Sequence, residues 1–275
     1  MSGKRLRNIC FYILRKLKDP YYAGTPAELA FFFLLSMVPL TIVLGELLGL
    51  FSISINWIYM LLKQYASFQI AEALEPYLSY ESSGTINFVF IALALWASSR
   101  GQYSLIRISN YAYEHGGISY SYIHERFRAI KTVLLTLFLI ASSLVILVYG
   151  ESILKIIAIY FHQTFSLEFT VRSIWLVVRW PIAVAVYFLT ISYTYAVLPA
   201  EKLPLKSVMP GAVFSSAAIL AASLAYSWYL DKAPGNDVLY GGLATVVALL
   251  IWFYMLGFIL VIGIHLNIAW RDIKD

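Results

Sequence analysis

Most charged residues of this chain fall in the intervals between six long apolar stretches. These stretches lie near residues 27–51, 86–108, 130–150, 173–198, 208–230 and 239–270. A helix needs about 20 predominantly apolar residues to cross the hydrocarbon core of a bilayer. Only 13% of the 275 residues are charged and 61% are hydrophobic, whereas a soluble domain carries about 25% charged residues. The sequence therefore predicts an all-α polytopic membrane helix bundle with six transmembrane helices.

Additional helices are predicted outside the spans. Residues 4–18 place apolar side chains at helical spacing and basic side chains on the other faces, which indicates a basic amphipathic helix lying in the membrane interface. Charges interrupt the apolar runs at 53–78 and 151–172. We expect the former to be another interfacial helix and the latter a short surface or re-entrant element. The predicted domains are an interfacial helix at 1–19 and a six-helix transmembrane domain at 20–275.

The Lys and Arg residues between the spans predict the orientation of the chain. One side of the membrane receives fourteen of them, including Arg107 at the edge of the second span, and the other side receives four; Arg100 and Arg179, which lie within spans, are left out. Cytoplasmic loops carry the excess of Lys and Arg in membrane proteins. Both termini are therefore expected in the cytoplasm. The net charge of +5 is explained by this placement beside anionic headgroups, and we expect no nucleic-acid partner.

The sequence lacks the usual signatures of catalysis and metal binding. The single cysteine, Cys10, excludes an intramolecular disulfide and a multi-cysteine metal site. The four histidines are scattered over three loops and one span, and no Walker A, H-E-x-x-H or G-x-S-x-G pattern occurs. We expect no enzyme activity, no catalytic residue, no cofactor and no metal.

Two arginines inside the second span are the leading candidates for function. Arg100 and Arg107 are seven residues apart and share a helix face, with Tyr103 and Asn110 on or beside it. An ionisable group at this depth costs at least about 2.5 kcal/mol and needs a partner or a use. One interpretation is a substrate site formed by these four residues, in which arginine binds the phosphate of a lipid headgroup.

The other interpretation is an ion pair that only holds the helices together. Glu28 and Glu46 are the available carboxylates, and either of them or His265 is also a candidate for proton coupling. The G-E-L-L-G pattern at 45–49 and the stripe Ala217, Ala221 and Ala225 permit close helix approach. We expect both to pack within one chain, and a homo-oligomer remains the alternative.

Several ordered motifs resemble the YihY/BrkB family of bacterial inner-membrane proteins across about residues 27–270. They are AELAFFFLLSMVP at 27–39, WASS at 96–99, NYAY at 110–113, YAVLP at 195–199, MPGA at 209–212, YGGL at 240–243 and IWFY at 251–254. Near the end of the last helix, where members usually read G-A-E-L-N, this chain has G-I-H-L-N at 263–267. An acidic group is thus replaced by His265.

The resemblance implies a six-helix protein of the bacterial cytoplasmic membrane with a role in envelope biology. The family also carries an old label, ribonuclease BN, but this chain has no carboxylate pair in an exposed segment that would suit a nuclease. The leading hypothesis is a transporter or flippase-like protein for an amphipathic anionic substrate, a lipid or lipid-linked envelope precursor. The alternatives are a non-transporting membrane scaffold for envelope assembly partners and, third, a membrane enzyme acting on lipid.

The orientation can be tested with reporter fusions. A reporter fused after Asp275, and one fused before Met1, should both behave as cytoplasmic because the basic segments are retained on that side. A periplasmic signal from either end would contradict the six-span topology.

Overall fold

The computed structural model describes residues 3–49, 88–113, 121–164, 171–201, 203–232 and 241–273, and within these ranges all regular structure is helical. The helices are α1 (Gly3–Leu17), α2 (Pro20–Ala23), α3 (Thr25–Gly49), α4 (Phe88–Tyr113), α5 (Tyr122–Thr164), α6 (Val171–Val197), α7 (Leu205–Lys232) and α8 (Gly241–Asp272). The all-helical class predicted from the sequence is confirmed.

The N-terminal helix α1 covers almost the range that the amphipathic pattern predicts, and Ile9 is its buried residue. Asp19 ends the segment by accepting a hydrogen bond from the Tyr21 backbone N–H at 3.0 Å, which caps the short helix α2. Helix α1 packs against the C-terminal end of α8. There, Arg5 donates hydrogen bonds to the carbonyl oxygens of Ile273 and Trp270 at 2.9 and 3.2 Å. Its position in the membrane interface stays a prediction.

The six long helices form a closed up-and-down ring. Each of α3 to α8 packs against the helix before and after it, and α8 returns to pack against α3. Successive helices run antiparallel, so the N-terminal end of α3 lies at the same end of the ring as the C-terminal end of α8. The Phe33 and Phe253 rings meet across this closing contact, with centroids 6.0 Å apart.

Four helices are long and apolar enough to cross a membrane among the side chains that the structure describes. They comprise Tyr122–Ile146, Val177–Val197, Leu205–Tyr229 and Val246–Asp272. Helices α3 and α4 are 25 and 26 residues long, but their side chains are described only in part. The number of six transmembrane helices therefore remains a prediction.

Helix α5 differs from the prediction. It runs without interruption for 43 residues, about 64 Å at 1.5 Å per residue, which is twice the thickness of the hydrocarbon core. The separate element predicted at 151–172 is therefore wrong for residues 151–164, which continue the helix. The boundary was inferred from charges, and residues 151–164 contain no proline to stop a helix. The interfacial helix predicted at 53–78 lies outside the described residues.

The contact between α7 and α8 depends on two glycines. The Gly211 N–H donates to Asn267 Oδ1 at 2.6 Å, and a Cβ at Gly211 would collide with the carbonyl oxygen of Gly263. A Cβ at Gly263 would collide in turn with the Tyr195 hydroxyl, which donates to the Leu260 carbonyl at 3.0 Å. Small residues let helix backbones approach in lipid, where apolar burial gives little driving force.

The alanine stripe of α7 is not part of this contact with α8. Ala217, Ala221 and Ala225 are all exposed on the outside of α7, so the expectation that they pack within the chain is wrong. The side chains around residues 45–49 lie outside the described part of the chain, and the G-E-L-L-G pattern there stays a prediction.

We expect Gly211→Ala to lower stability by about 1–3 kcal/mol, the usual cost of overpacking a tight contact. The added Cβ has no space between the α7 and α8 backbones. Gly24→Ala is the control, because a Cβ there meets nothing within 4 Å. Thermal unfolding of both variants in detergent measures the effect. Equal unfolding temperatures would show that the two helices do not touch at Gly211.

Candidate functional site

A cavity of about 580 Å³ lies at the centre of the ring and is lined by residues of all six long helices. Its wall is largely apolar, and none of the described residues that line it is charged. The polar side chains of the wall are Ser36, Gln102, Thr136, Ser143, Tyr187, Thr190 and Thr194.

Two polar atoms of the cavity wall have no hydrogen-bond partner within the described chain. They are Gln102 Oε1 on α4 and Thr136 Oγ1 on α5, and both are buried. A buried polar atom is normally hydrogen-bonded to protein or water, so these two are available to a ligand in the cavity. The cavity can therefore hold an apolar chain and offer it a few hydrogen-bonding positions.

Arg107 and Glu28 form an ion pair between α4 and α3. The Arg107 Nη2 lies 2.6 Å from both Glu28 carboxylate oxygens, and the two side chains are 47% and 31% exposed. Glu28 is in the first turn of α3, where the helix dipole favours a negative charge. The structure thus pairs Arg107 with Glu28, one of the two carboxylates that the packing interpretation names.

Arg100 lies on the exposed surface of α4. Neither Arg100 nor Arg107 is among the residues that line the central cavity. The structure brings neither arginine to a carboxylate other than Glu28 among the described side chains. The backbone of Glu46 belongs to α3, but its side chain lies outside the described residues.

Asn110 and Tyr103 contact other helices. The Asn110 amide donates to Glu125 Oε1 at 2.7 Å and accepts from the Ala200 N–H at 2.8 Å. It thereby joins α4 to α5 and to the segment that follows α6. The Tyr103 ring packs edge-to-face on Tyr122, with centroids 5.5 Å apart. The Asn110 side-chain amide is therefore hydrogen-bonded within the protein through both its oxygen and its nitrogen.

His265 is buried on α8, at 1% exposure. Its ring meets the Tyr22 ring edge-to-face at 4.5 Å, and neither ring nitrogen has a hydrogen-bond partner in the described ranges. No group of three His, Cys, Asp or Glu side chains suitable for a metal occurs among the searched residues. The structure thus does not bring His265 to Arg100, Arg107, Tyr103 or Asn110.

Sequence reasoning missed two arginines of α5 because it counted them only as markers of orientation. The Arg128 Nη2 donates to the carbonyl oxygens of Val197, Leu198 and Pro199 at 2.9, 3.0 and 2.7 Å. These carbonyls belong to the last residue of α6 and to the two residues after it, where a cation is favourable. The second, Arg126, is 2% exposed, although an arginine is seldom so buried without a partner. The E-R-F-R pattern at the start of a span was the available signal.

The apolar spans, the antiparallel ring and the uncharged cavity define a multi-pass helical membrane protein. The sequence profile of a family described as Virulence factor BrkB matches residues 13–274, and this chain belongs to that family. The resemblance seen in the motifs is confirmed.

Three relatives illustrate the match. The ribonuclease-like protein YfkH of Bacillus subtilis strain 168 is 29% identical over 88% of this chain and 87% of its own length. A UPF0761 membrane protein of Histophilus somni is 26% identical over 54% of this chain and 49% of its own. Another, of Alkalilimnicola ehrlichii, is 30% identical over 27% of this chain and 17% of its own. The matches to these two UPF0761 proteins therefore cover less than half of their lengths. No solved structure matches the chain.

A double-mutant cycle tests the environment of the ion pair. Because Glu28 and Arg107 are partly exposed, we expect Glu28→Gln and Arg107→Gln to show a coupling energy of about 0.2–1 kcal/mol, as for pairs that water can reach. Unfolding of both single variants and the double variant in detergent measures it. A coupling of about 3–5 kcal/mol, typical of a buried pair, would show instead that the pair is shielded from water.

Proposed function

We propose that this protein is a transporter or flippase-like protein for an amphipathic anionic substrate, a lipid or a lipid-linked envelope precursor, in the bacterial inner membrane. The observation that carries the proposal is the apolar cavity at the centre of the helix ring. At about 580 Å³ it has the size of pockets that enclose small ligands, typically 300–1,000 Å³.

The character of the wall suits a passing amphipathic molecule. Apolar residues receive acyl chains, whereas Gln102, Thr136 and Thr190 supply hydrogen bonds to polar groups. A site through which a substrate moves must bind it well enough for entry and weakly enough for release. Neutral polar side chains meet that requirement better than a fixed charge, which would hold an anionic headgroup.

The charge distribution supports an anionic substrate. Most basic residues of the chain belong to α1 and to the segments at the same end of the ring, where they would attract anionic lipid to the cytoplasmic leaflet. We propose movement down a concentration gradient, because Arg107 already engages Glu28, one of the carboxylates considered for coupling.

A non-transporting scaffold is the second candidate, and the polar contacts at the basic end favour it. Glu28 pairs with Arg107, Asn110 bonds Glu125, and Arg128 caps α6. Such contacts fix the helices relative to one another, as a rigid docking platform requires. Under this alternative the cavity would be a packing defect without a ligand. Enzyme activity is not part of either proposal.

Filling the cavity separates the two candidates. Ala183 lines the cavity on α6, whereas its neighbour Val184 is 50% exposed on the outside of the ring. We expect Ala183→Trp to reduce the movement of a fluorescent anionic phospholipid between the leaflets of proteoliposomes several-fold, because the indole occupies the space. Val184→Trp is the matched control and should leave the rate unchanged.

Unfolding temperatures of the two tryptophan variants must be compared alongside the rates. A folded Ala183→Trp protein that moves lipid as fast as wild type would rule out transport through this cavity. If the wild-type protein moves no lipid at all, the scaffold is the better explanation.

A further inference from the structure

A second depression, of about 340 Å³, lies between α4 and α5. Its walls are apolar or aromatic except at one position, and its described lining residues are Ala92, Leu95, Trp96, Tyr122, Ile123, Arg126, Phe127 and Ile130. Ile123 and Phe127 are 65% and 70% exposed. In a membrane-spanning helix such apolar side chains face lipid, so the depression is a lateral groove open to the bilayer.

Arg126 is the charged residue of this groove and it is almost fully buried. Its Nη2 donates to the Trp96 carbonyl oxygen at 2.6 Å. Its guanidinium carbon lies 4.4 Å from the centroid of the Trp96 ring and 5.7 Å from that of Tyr103. Yet its Nε is buried with no hydrogen-bond partner in the described chain. A guanidinium has five donors in a planar fork, so this one is only partly satisfied.

The charge of Arg126 is not compensated by the described residues. No carboxylate lies within 4 Å of it among them. A second basic residue, Arg100 of α4, lies one helical turn after Trp96 and is exposed. Two positive charges thus flank Trp96. A buried charge normally has a partner of opposite sign, and among the described residues of the groove Arg126 has none.

The position of the groove identifies the kind of anion. Arg126 is the fifth residue of α5, about 6 Å along the helix from its start. That start belongs to the basic end of the ring, where phospholipid phosphates are expected. The apolar lining continues from Arg126 along α5 through the exposed Phe127 and the half-buried Ile130, in the direction that acyl chains take.

We infer that the α4–α5 groove binds one anionic phospholipid, with its phosphate on Arg126 and Arg100 and an acyl chain along Phe127 and Ile130. Arginine suits this ligand because its planar fork binds phosphate through two parallel hydrogen bonds. Binding in this groove requires no transport through the central cavity, so the inference goes beyond the proposed function and stands apart from it.

Native mass spectrometry of the full-length protein with added dioleoylphosphatidylglycerol tests the assignment. We expect Arg126→Gln to weaken this binding about tenfold, the effect of losing one charge-assisted contact, and to weaken dioleoylphosphatidylcholine binding less, because the choline cation of that lipid offsets its phosphate charge. Lys131→Gln is the matched control, because it removes one positive charge from an exposed position of the same helix. Equal losses in both variants would overturn the assignment, as would unchanged binding by Arg126→Gln.

A fluorescence measurement covers the case in which Arg126→Gln does not fold. Phosphatidylglycerol with brominated acyl chains should quench tryptophan emission of the wild-type protein more than brominated phosphatidylcholine does, and Trp96→Phe should remove that difference. A difference that persists without Trp96 places the lipid elsewhere and overturns the inference. Equal quenching by the two lipids in the wild-type protein, together with saturable binding of inorganic phosphate, would identify a free anion, and not a lipid, as the occupant. None of these results depends on whether Ala183→Trp slows lipid movement, so this inference and the proposed function can fail separately.

Discussion

The last carbonyl groups of a helix have no partner within that helix, and this constraint explains the arginines at the basic end of the ring. Arg128 donates to three carbonyls at and just after the C-terminus of α6. Arg5 does the same for the end of α8, from a separate helix. Two of the basic residues from which the sequence predicts the orientation thus also bond the helix ends.

Tight packing of the helices has a different origin at each side of the ring. Between α7 and α8 the backbones approach because Gly211 and Gly263 lack side chains. Between α4 and α5, polar contacts such as that of Asn110 with Glu125 hold the helices near the basic end. The central cavity lies between the helices beyond these polar contacts. The helices are thus held by polar contacts near the basic end and enclose a cavity in the middle of the ring.

Much of the fold follows from patterns that a single sequence displays, whereas the candidate sites depend on contacts between helices. Apolar length and amphipathic spacing predicted the helical class and α1. They did not show that α5 continues past Gly150, since charges mark where lipid ends and not where a helix ends. Pairing of Arg107 with Glu28 required knowledge that α3 and α4 are neighbours. Arg126 looked like an ordinary flanking charge because its burial depends on where Trp96 lies.

Closure of the ring between α3 and α8 has a consequence for biosynthesis. Helix α3 is synthesised before α8, so the face of α3 that contacts α8 is covered only after α8 has been made, and the same holds for the face of α1 that packs on α8. The wall of the central cavity is therefore complete only once α8 has been made, because α8 supplies part of its lining. In a chain that ends before α8, the remaining long helices would not close into a ring. The helix faces that line the cavity would then be open to lipid, like the outer faces.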